Sequence, residues 1–392
     1  MICILITNMN TPAAFSRSIG IIADDLTSAA DGAGPFLPWA GPAQVCRGVA
    51  ADEVPRILSL DTGSRALAEM DAAQAASAAA AALAGRDVLY KTMDSTLRGH
   101  IRAELAAAFR ASGRHLLVVA PAFAGAGRVT LGGNQYVHGQ LVAASVYGAD
   151  PVHPARTSRI LDLVDPAIGP ARVITEDASA AQVRAAAGAS RVLVLDASTQ
   201  QVLDDRVAQV MAQGGSVLWA GSPGMARALA AQCGGVAAAA PEPVRALRVL
   251  IVVGSANPVS HAQCDALRAA GAQVTRHADE IQPDAQVVCL QAPDTAQADS
   301  AAVLAALTRQ AMQALGRHRF DGLIATGGDT LAALLDALMI RSFTLTCELA
   351  PGFPAGVAAV ADRGHRLALA MKAGGFGRPD ALLAAAMTLL CR

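Results

Sequence analysis

Aromatic residues are scarce, two Trp, three Tyr and eight Phe among 392 positions, which leaves no platform for stacking nucleic-acid bases. Charge of one sign is missing as well. The 31 Lys and Arg residues are scattered and balanced by 32 Asp and Glu, giving a net charge of −1. That excludes the electrostatic footprint of a nucleic-acid binder and of a protein drawn to an anionic membrane. The seven cysteines (Cys3, Cys46, Cys233, Cys264, Cys289, Cys347, Cys391) lie far apart, with no CxxC pair and no Cys/His cluster. Metal and redox motifs are therefore unsupported, and an odd count without framework spacing fits reduced thiols in a cytoplasmic protein. Long apolar runs are interrupted. Residues 72–84 are broken by Gln74 and Ser77 and read as an Ala-rich surface helix, not a membrane span. Residues 1–9 are apolar but carry no basic lead and no cleavage pattern, so no secretion signal is expected.

Two nucleotide signatures are absent from the second half of the chain. There is no P-loop pattern with its Lys-Ser/Thr, which excludes an ordinary P-loop kinase. There is also no Gly-x-Gly-x-x-Gly after a strand, which weakens a dinucleotide-dependent oxidoreductase of small hydroxy acids.

What is present is a recurring unit. Short apolar runs alternate with helical segments, the mark of parallel βα units, and the length allows two or three domains. Strand after strand ends in acids, hydroxyls or glycine. Residues 19–23 run into Asp24-Asp25-Leu26-Thr27-Ser28, and residues 57–60 into Asp61-Thr62-Gly63. Residues 88–90 lead into Lys91-Thr92-Met93-Asp94-Ser95-Thr96-Leu97-Arg98-Gly99-His100, and residues 115–120 into a Gly-rich loop containing Gly127-Arg128. In α/β folds such loops lie at the carboxyl edge of the sheet, where ligands bind. Residues 132–150 look irregular. Asp25 could equally cap the helix that follows it through its first-turn amides.

The composition of residues 236–247 is that of a linker, which divides the chain into a lead-in (1–17, expected to be disordered), a first domain (18–235) and a second (248–392). The second domain restarts the pattern. Residues 248–253 end in Gly254-Ser255-Ala256-Asn257 with Pro258 opening a helix, residues 320–325 in Thr326-Gly327-Gly328-Asp329-Thr330, and residues 367–372 in Ala373-Gly374-Gly375-Phe376-Gly377. Glycine turns supply backbone amides without side-chain bulk, and helix amino ends favour anions, a combination suited to a polyphosphate.

Taken in order, the blocks Ala23-Asp24-Asp25-Leu26-Thr27, Lys91 to Gly99, Gly127-Arg128-Val129-Thr130, Gly254-Ser255, Gly327-Gly328-Asp329-Thr330 and Lys372 to Gly377 resemble the signatures of the four-carbon acid sugar kinase family, from about Ser18 to near the end of the chain. Ser28, Ala373 and Gly375 depart from the family pattern, the last two by removing polar side chains. The resemblance implies an α/β protein of two doubly wound domains with mainly parallel sheets. The first would hold the acid sugar, the second ATP, and the active site would lie in the cleft between. It further implies phosphorylation of the terminal hydroxyl of D-threonate, or of D-erythronate, 3-oxo-tetronate or L-threonate, with Mg²⁺ and ATP; the oligomeric state, a homo-oligomer included, is left open by the sequence.

Phosphoryl transfer needs an oriented hydroxyl, a nearby base and positive charge around the transferred group. Asp24 or Asp25 is expected as the base, with Asp94 behind them. Arg98 is expected to clamp the substrate carboxylate bidentately, helped by Ser95 and by the backbone at Gly99, with Lys91 and Arg128 as further candidates. A structural ion pair of Lys91 with Asp94 is the alternative role for that lysine. Ser255, Gly327, Gly328, Asp329, Thr330, Gly374 and Gly375 are expected around the nucleotide. Asp329 either holds Mg²⁺ or caps a helix starting at Leu331. His100, His138 and His261 are expected to be non-catalytic. A non-enzymatic sugar-acid binding protein would leave the paired acids and glycine turns without a task.

Overall fold

The computed structural model describes residues 17–48, 55–150, 153–233, 244–254, 257–292, 300–360 and 365–390. Residues 1–16 of the expected lead-in, most of the linker (236–243) and Ser255 lie outside the described residues.

The amino-terminal half contains strands β1 (Ile19–Ala23), β2 (Ala43–Arg47), β3 (Ile57–Asp61), β4 (Val88–Thr92), β5 (Leu116–Ala120), β6 (Arg128–Leu131), β7 (Asn134–Val137), β8 (Gln140–Leu141), β9 (Ala171–Ile174), β10 (Val192–Leu195) and β11 (Val217–Gly221). Its helices are α1 (Leu26–Ala33), α2 (Leu37–Ala40), α3 (Glu69–Ala82), α4 (Ile101–Ser112), α5 (Ala180–Ala189), α6 (Gln200–Met211) and α7 (Pro223–Ala231). The carboxy-terminal half contains β12 (Val249–Val253), α8 (Pro258–Ala269), β13 (Gln273–Thr275), β14 (Val287–Gln291), α9 (Ser300–Arg317), β15 (Gly322–Thr326), α10 (Gly328–Ala337), β16 (Ser342–Ala350), β17 (Phe353–Val360), β18 (His365–Lys372) and α11 (Ala381–Leu390).

Among the described residues, one fifteen-stranded sheet runs through both halves in the order β13-β14-β12-β15-β18-β17-β16-β2-β3-β1-β4-β11-β5-β10-β9. From β2 to β9 every pairing is parallel, as is every pairing from β18 to β13. The expected βα reading holds for both halves. Strands such as Leu116–Ala120 and Val249–Val253 are buried throughout, because helices cover both faces of a parallel sheet. The Ala-rich helix α3 turns Ala72, Ala76, Ala79 and Ala80 inward at helical spacing and leaves the rest exposed or half-buried.

Between the two parallel blocks β16, β17 and β18 form an antiparallel meander, and β16 pairs antiparallel with β2, Ser342 opposite Cys46 and Leu345 opposite Ala43. The strands of the two blocks are thus opposed in direction along the sheet. Six strand-to-strand steps separate β1 from β15, and a twist of about 20–25° per step turns the strand direction by roughly 120–150°. That rotation offsets most of the reversal and brings the carboxyl ends of the two blocks to face each other.

In each half the loops expected to form the site leave the sheet where the strand order reverses, between β1 and β4 in the first block and between β12 and β15 in the second. One expectation needs correction. Residues 132–150 are not irregular throughout, since β7 and β8 join β6 in a separate three-stranded antiparallel sheet. Its first turn is Gly132-Gly133, both with positive φ (57° and 72°), the conformation a two-residue hairpin loop demands. No helix among the described residues is long and apolar enough to cross a membrane.

Candidate active site

The main cleft lies between the two blocks and offers about 200 Å³ of accessible volume. Asp25, Thr27, Ser28 and Asp31 of the β1–α1 segment, Asp94, Ser95 and Arg98 of the β4–α4 loop, and Arg65 line one side. Gly328, Glu348, Gly352, Ala373, Gly374 and Phe376 line the other.

The paired aspartates are tied together by Arg65, which sequence reasoning did not single out. Its Nε donates to Asp24 Oδ2 at 2.9 Å, its Nη2 lies 2.8 Å from the same oxygen, and its Nη1 pairs with Asp25 Oδ2. The two acids then diverge. Asp24 is 5% exposed and faces a small internal cavity beside Lys91 rather than the main cleft. Burial would raise its carboxyl, but Arg65 and Lys91 hold it below its ordinary value. Asp25 caps α1, its Oδ1 accepting from the Ser28 amide at 2.7 Å, and opens onto the main cleft. Burial raises the Asp25 carboxyl, and the charge of Asp24 adds to the rise against the pull of Arg65. Asp25 is therefore both helix cap and cleft carboxylate.

The Lys91 to Gly99 loop is more internally committed than its composition suggests. Lys91 is 2% exposed and pairs with Glu104 of α4, Nζ to Oε2 2.7 Å, not with Asp94. Glu104 also accepts from Ser64 Oγ at 2.7 Å, so the buried ion pair is hydrogen-bonded on a second side. Asp94 accepts from the Thr96 amide and hydroxyl and from Arg98 Nε at 2.6 Å. Arg98 Nη1 reaches Asp150 at 3.3 Å. Asp94, Ser95 and Arg98 line the main cleft, and Gly99 packs beside Asp24. Arg128 lies in an adjoining cleft, its guanidinium against Tyr147 and Phe376, with Nε buried and unpartnered among the described residues.

On the facing side, Gly327 (φ 92°) ends β15 and α10 begins at Gly328. A Cβ on Gly328 would sit 2.8 Å from Thr27 Oγ1 and 3.9 Å from Asp25 Oδ1, so the amino end of α10 abuts the paired acids. Asp329 stands exposed in the first turn of α10, outside the cleft lining and with no capping bond at this helix start. Thr330 is buried beneath the turn, against Gly254. Gly374 lines the cleft, its carbonyl accepting from Ser260 Oγ at 2.9 Å and from Lys372 Nζ at 3.2 Å. Gly375 passes so close to Asn257 that a Cβ would lie 3.2 Å from Nδ2. Lys372, also missed as a site residue, is buried under this turn, and burial lowers its ammonium to about 8. No group of three or more His, Cys, Asp or Glu side chains among the described residues has the geometry to hold a metal ion.

Three further cleft residues carried no sequence signal: Asp31 on α1, Glu348 on β16 and Arg227 on α7. They sit within helices and strands rather than in the turn motifs that drew attention. Burial raises Asp31 well above its ordinary value, reinforced by Glu348 and Asp25, and burial likewise raises Glu348. Phe123 and Phe376 stack across the blocks with centroids 6.3 Å apart, and Arg227 lies over Phe123 at 5.3 Å.

Comparison with known proteins places this geometry. A family described as a sugar-binding N-terminal domain matches residues 19–229, and one described as a nucleotide-binding C-terminal domain matches residues 274–382. A Bordetella bronchiseptica protein named D-threonate kinase is 33% identical, over 95% of this chain and 97% of its own length. A D-threonate kinase of Salmonella typhimurium is 30% identical, over 92% and 96%. The fold is shared with a crystal structure of a Haemophilus influenzae protein of the DUF1537 family, at a TM-score of 0.73 and 20% identity over 95% of this chain and 100% of that one. With both halves matched in order and a relative this similar along nearly its whole length, the chain belongs to the four-carbon acid sugar kinases, a family of phosphotransferases acting on an alcohol group.

Proposed function

We propose that this protein transfers the γ-phosphoryl group of ATP to the terminal hydroxyl of a four-carbon sugar acid, with D-threonate the preferred substrate and D-erythronate, 3-oxo-tetronate and L-threonate behind it. The observation that carries the reading is the abutment of Gly328 at the amino end of α10 on Asp25 and Thr27. A helix end suited to phosphate meets a buried carboxylate suited to orient a hydroxyl. The names of the two relatives support the choice of D-threonate.

In this reading Asp25 orients the hydroxyl and accepts its proton late, because a loose transition state asks little of a base. Asp24 and Arg65 position Asp25, and Asp94 orders Arg98 at the substrate wall. The amides of Gly327, Gly328, Asp329 and Thr330 cradle phosphates, while Gly374 and Gly375 let the nucleotide pass close to the backbone. Residues 18–235 would bind the acid and 248–392 the nucleotide. Mg²⁺ bound with the nucleotide would neutralise charge on the phosphates and would need few protein ligands. Asp329 remains the proposed ligand from the second half.

The test is direct. The purified full chain should be stabilised thermally by ATP with Mg²⁺ and not by NAD(P). Among the tetronate isomers, D-threonate should give the highest kcat/KM for ADP formation. Stabilisation by NAD(P) alone, or no ADP with any tetronate, would overturn the proposal.

A further inference from the structure

Three arginines line the main cleft, and two are already engaged: Arg65 by Asp24 and Asp25, Arg98 by Asp94 and Asp150. Arg227 makes no hydrogen bond or salt bridge to any described residue. Its guanidinium lies over the face of Phe123, which orients its plane and leaves its five donors without a hydrogen bond to any described residue. Phe123 is itself held by the stack with Phe376, so the arginine is braced from both blocks.

Its position along the cleft is informative. Arg227 is close enough to Asp31 and Glu348 to offset part of the rise that burial imposes on both. Asp31 lies six residues along α1 from Asp25, a rise of about 9 Å. The phosphate-facing end of the cleft is at Asp25, Thr27 and Gly328. An extended four-carbon acid spans roughly 6 Å between its terminal oxygens, or about 11 Å between the protein groups that hydrogen-bond each end. A substrate whose terminal hydroxyl sits at Asp25 is therefore long enough to carry its carboxylate as far along the cleft as Asp31, and Arg227 lines that same cleft.

We propose that Arg227, rather than Arg98 or Lys91, binds the carboxylate of the sugar acid, with α1 setting the distance between that carboxylate and the hydroxyl oriented by Asp25. This rests on the kinase reading above and names the residue that recognises the acid.

The experiment compares wild type, Arg227→Gln and Arg227→Lys in the full chain. Arg227→Gln should raise KM for D-threonate at least thirtyfold while lowering kcat less than threefold, and should abolish the thermal stabilisation given by D-threonate without nucleotide. KM for ATP and the stabilisation given by ATP should stay at wild-type values, which also reports an intact fold. Arg227→Lys should recover part of the lost affinity. A fall in kcat with D-threonate stabilisation retained would overturn the assignment and give Arg227 to the transferred phosphoryl group. Joint loss of the ATP and D-threonate responses would overturn it in favour of a structural role. Wild-type KM in Arg227→Gln overturns this inference alone; a wild type that neither binds nor phosphorylates any tetronate overturns the kinase reading with it.

Discussion

Lys91 shows how a lysine beside a candidate site can be committed to the fold. Its ammonium and Glu104 are both nearly fully buried and paired at 2.7 Å. Removing one partner of such a pair strands the other charge in low dielectric, at a cost of about 3–5 kcal/mol. Lys91→Met should therefore lower stability to urea by about that amount, and Lys91→Met/Glu104→Leu should recover much of it. A Lys91→Met protein of normal stability but with raised KM for the sugar acid would return the lysine to the substrate. Asp61 offers a second test at this scale. Burial raises its carboxyl from 3.8 to about 6, against the Gly63 amide that it accepts from. Because the folded value lies above the unfolded one, its stabilising contribution is complete below about pH 3.8 and lost as pH rises through 6. Asp61→Asn should flatten that dependence. Relative to wild type it should gain about 1–3 kcal/mol between pH 4 and pH 7.5 in urea denaturation, and parallel pH profiles for the two proteins would contradict the assignment.

At the scale of elements, the decisive contact is the amino end of α10 against the start of α1. Gly328→Ala places a methyl group 2.8 Å from Thr27 Oγ1, a separation that forces the Thr27 side chain or one of the two helices to shift. KM for ATP should rise about tenfold with little change in circular dichroism, and Thr27→Ala in the same chain should relieve part of the defect. An unchanged KM for ATP in Gly328→Ala would remove α10 from the phosphate site. The sequence already placed these two turns on their strands, because apolar runs ending in Asp24-Asp25 or Gly327-Gly328 carry strand, turn and helix signals together. It did not reveal Arg65, Asp31, Arg227 or Glu348, whose roles depend on which strands become neighbours. Nor did it reveal the antiparallel meander. Residues 342–350 alternate on one face only, whereas the parallel strands are buried on both and read as continuous apolar runs. The hairpin at Gly132-Gly133 carries a sequence signal in its glycine pair, though the residues after it lack the alternation of a strand pair.

The whole molecule is held as one body by the seam between β2 and β16. Across it Arg47 forms a bidentate pair with Asp336 of α10, Nη1 to Oδ1 2.6 Å and Nη2 to Oδ2 3.0 Å, and the Arg47 amide donates to Arg341 at 2.9 Å. Exposed ion pairs contribute little, and Asp336 is half exposed, so the backbone ladder is the stronger link. Two-domain proteins commonly unfold in separate steps, but a sheet continuous across the boundary couples the two cores. Calorimetry of the wild-type chain should accordingly show one transition, shifted upward as a unit by nucleotide. Val45 lies mid-strand in β2, paired with Phe343 of β16 and Ser59 of β3. Val45→Pro removes a ladder hydrogen bond in the middle of the sheet, which should weaken the pairing at the seam. The single transition should then split in two, with only one component responding to ATP. Two transitions already present in the wild type, or one surviving in Val45→Pro, would show that the halves are coupled through the cleft and not through the seam.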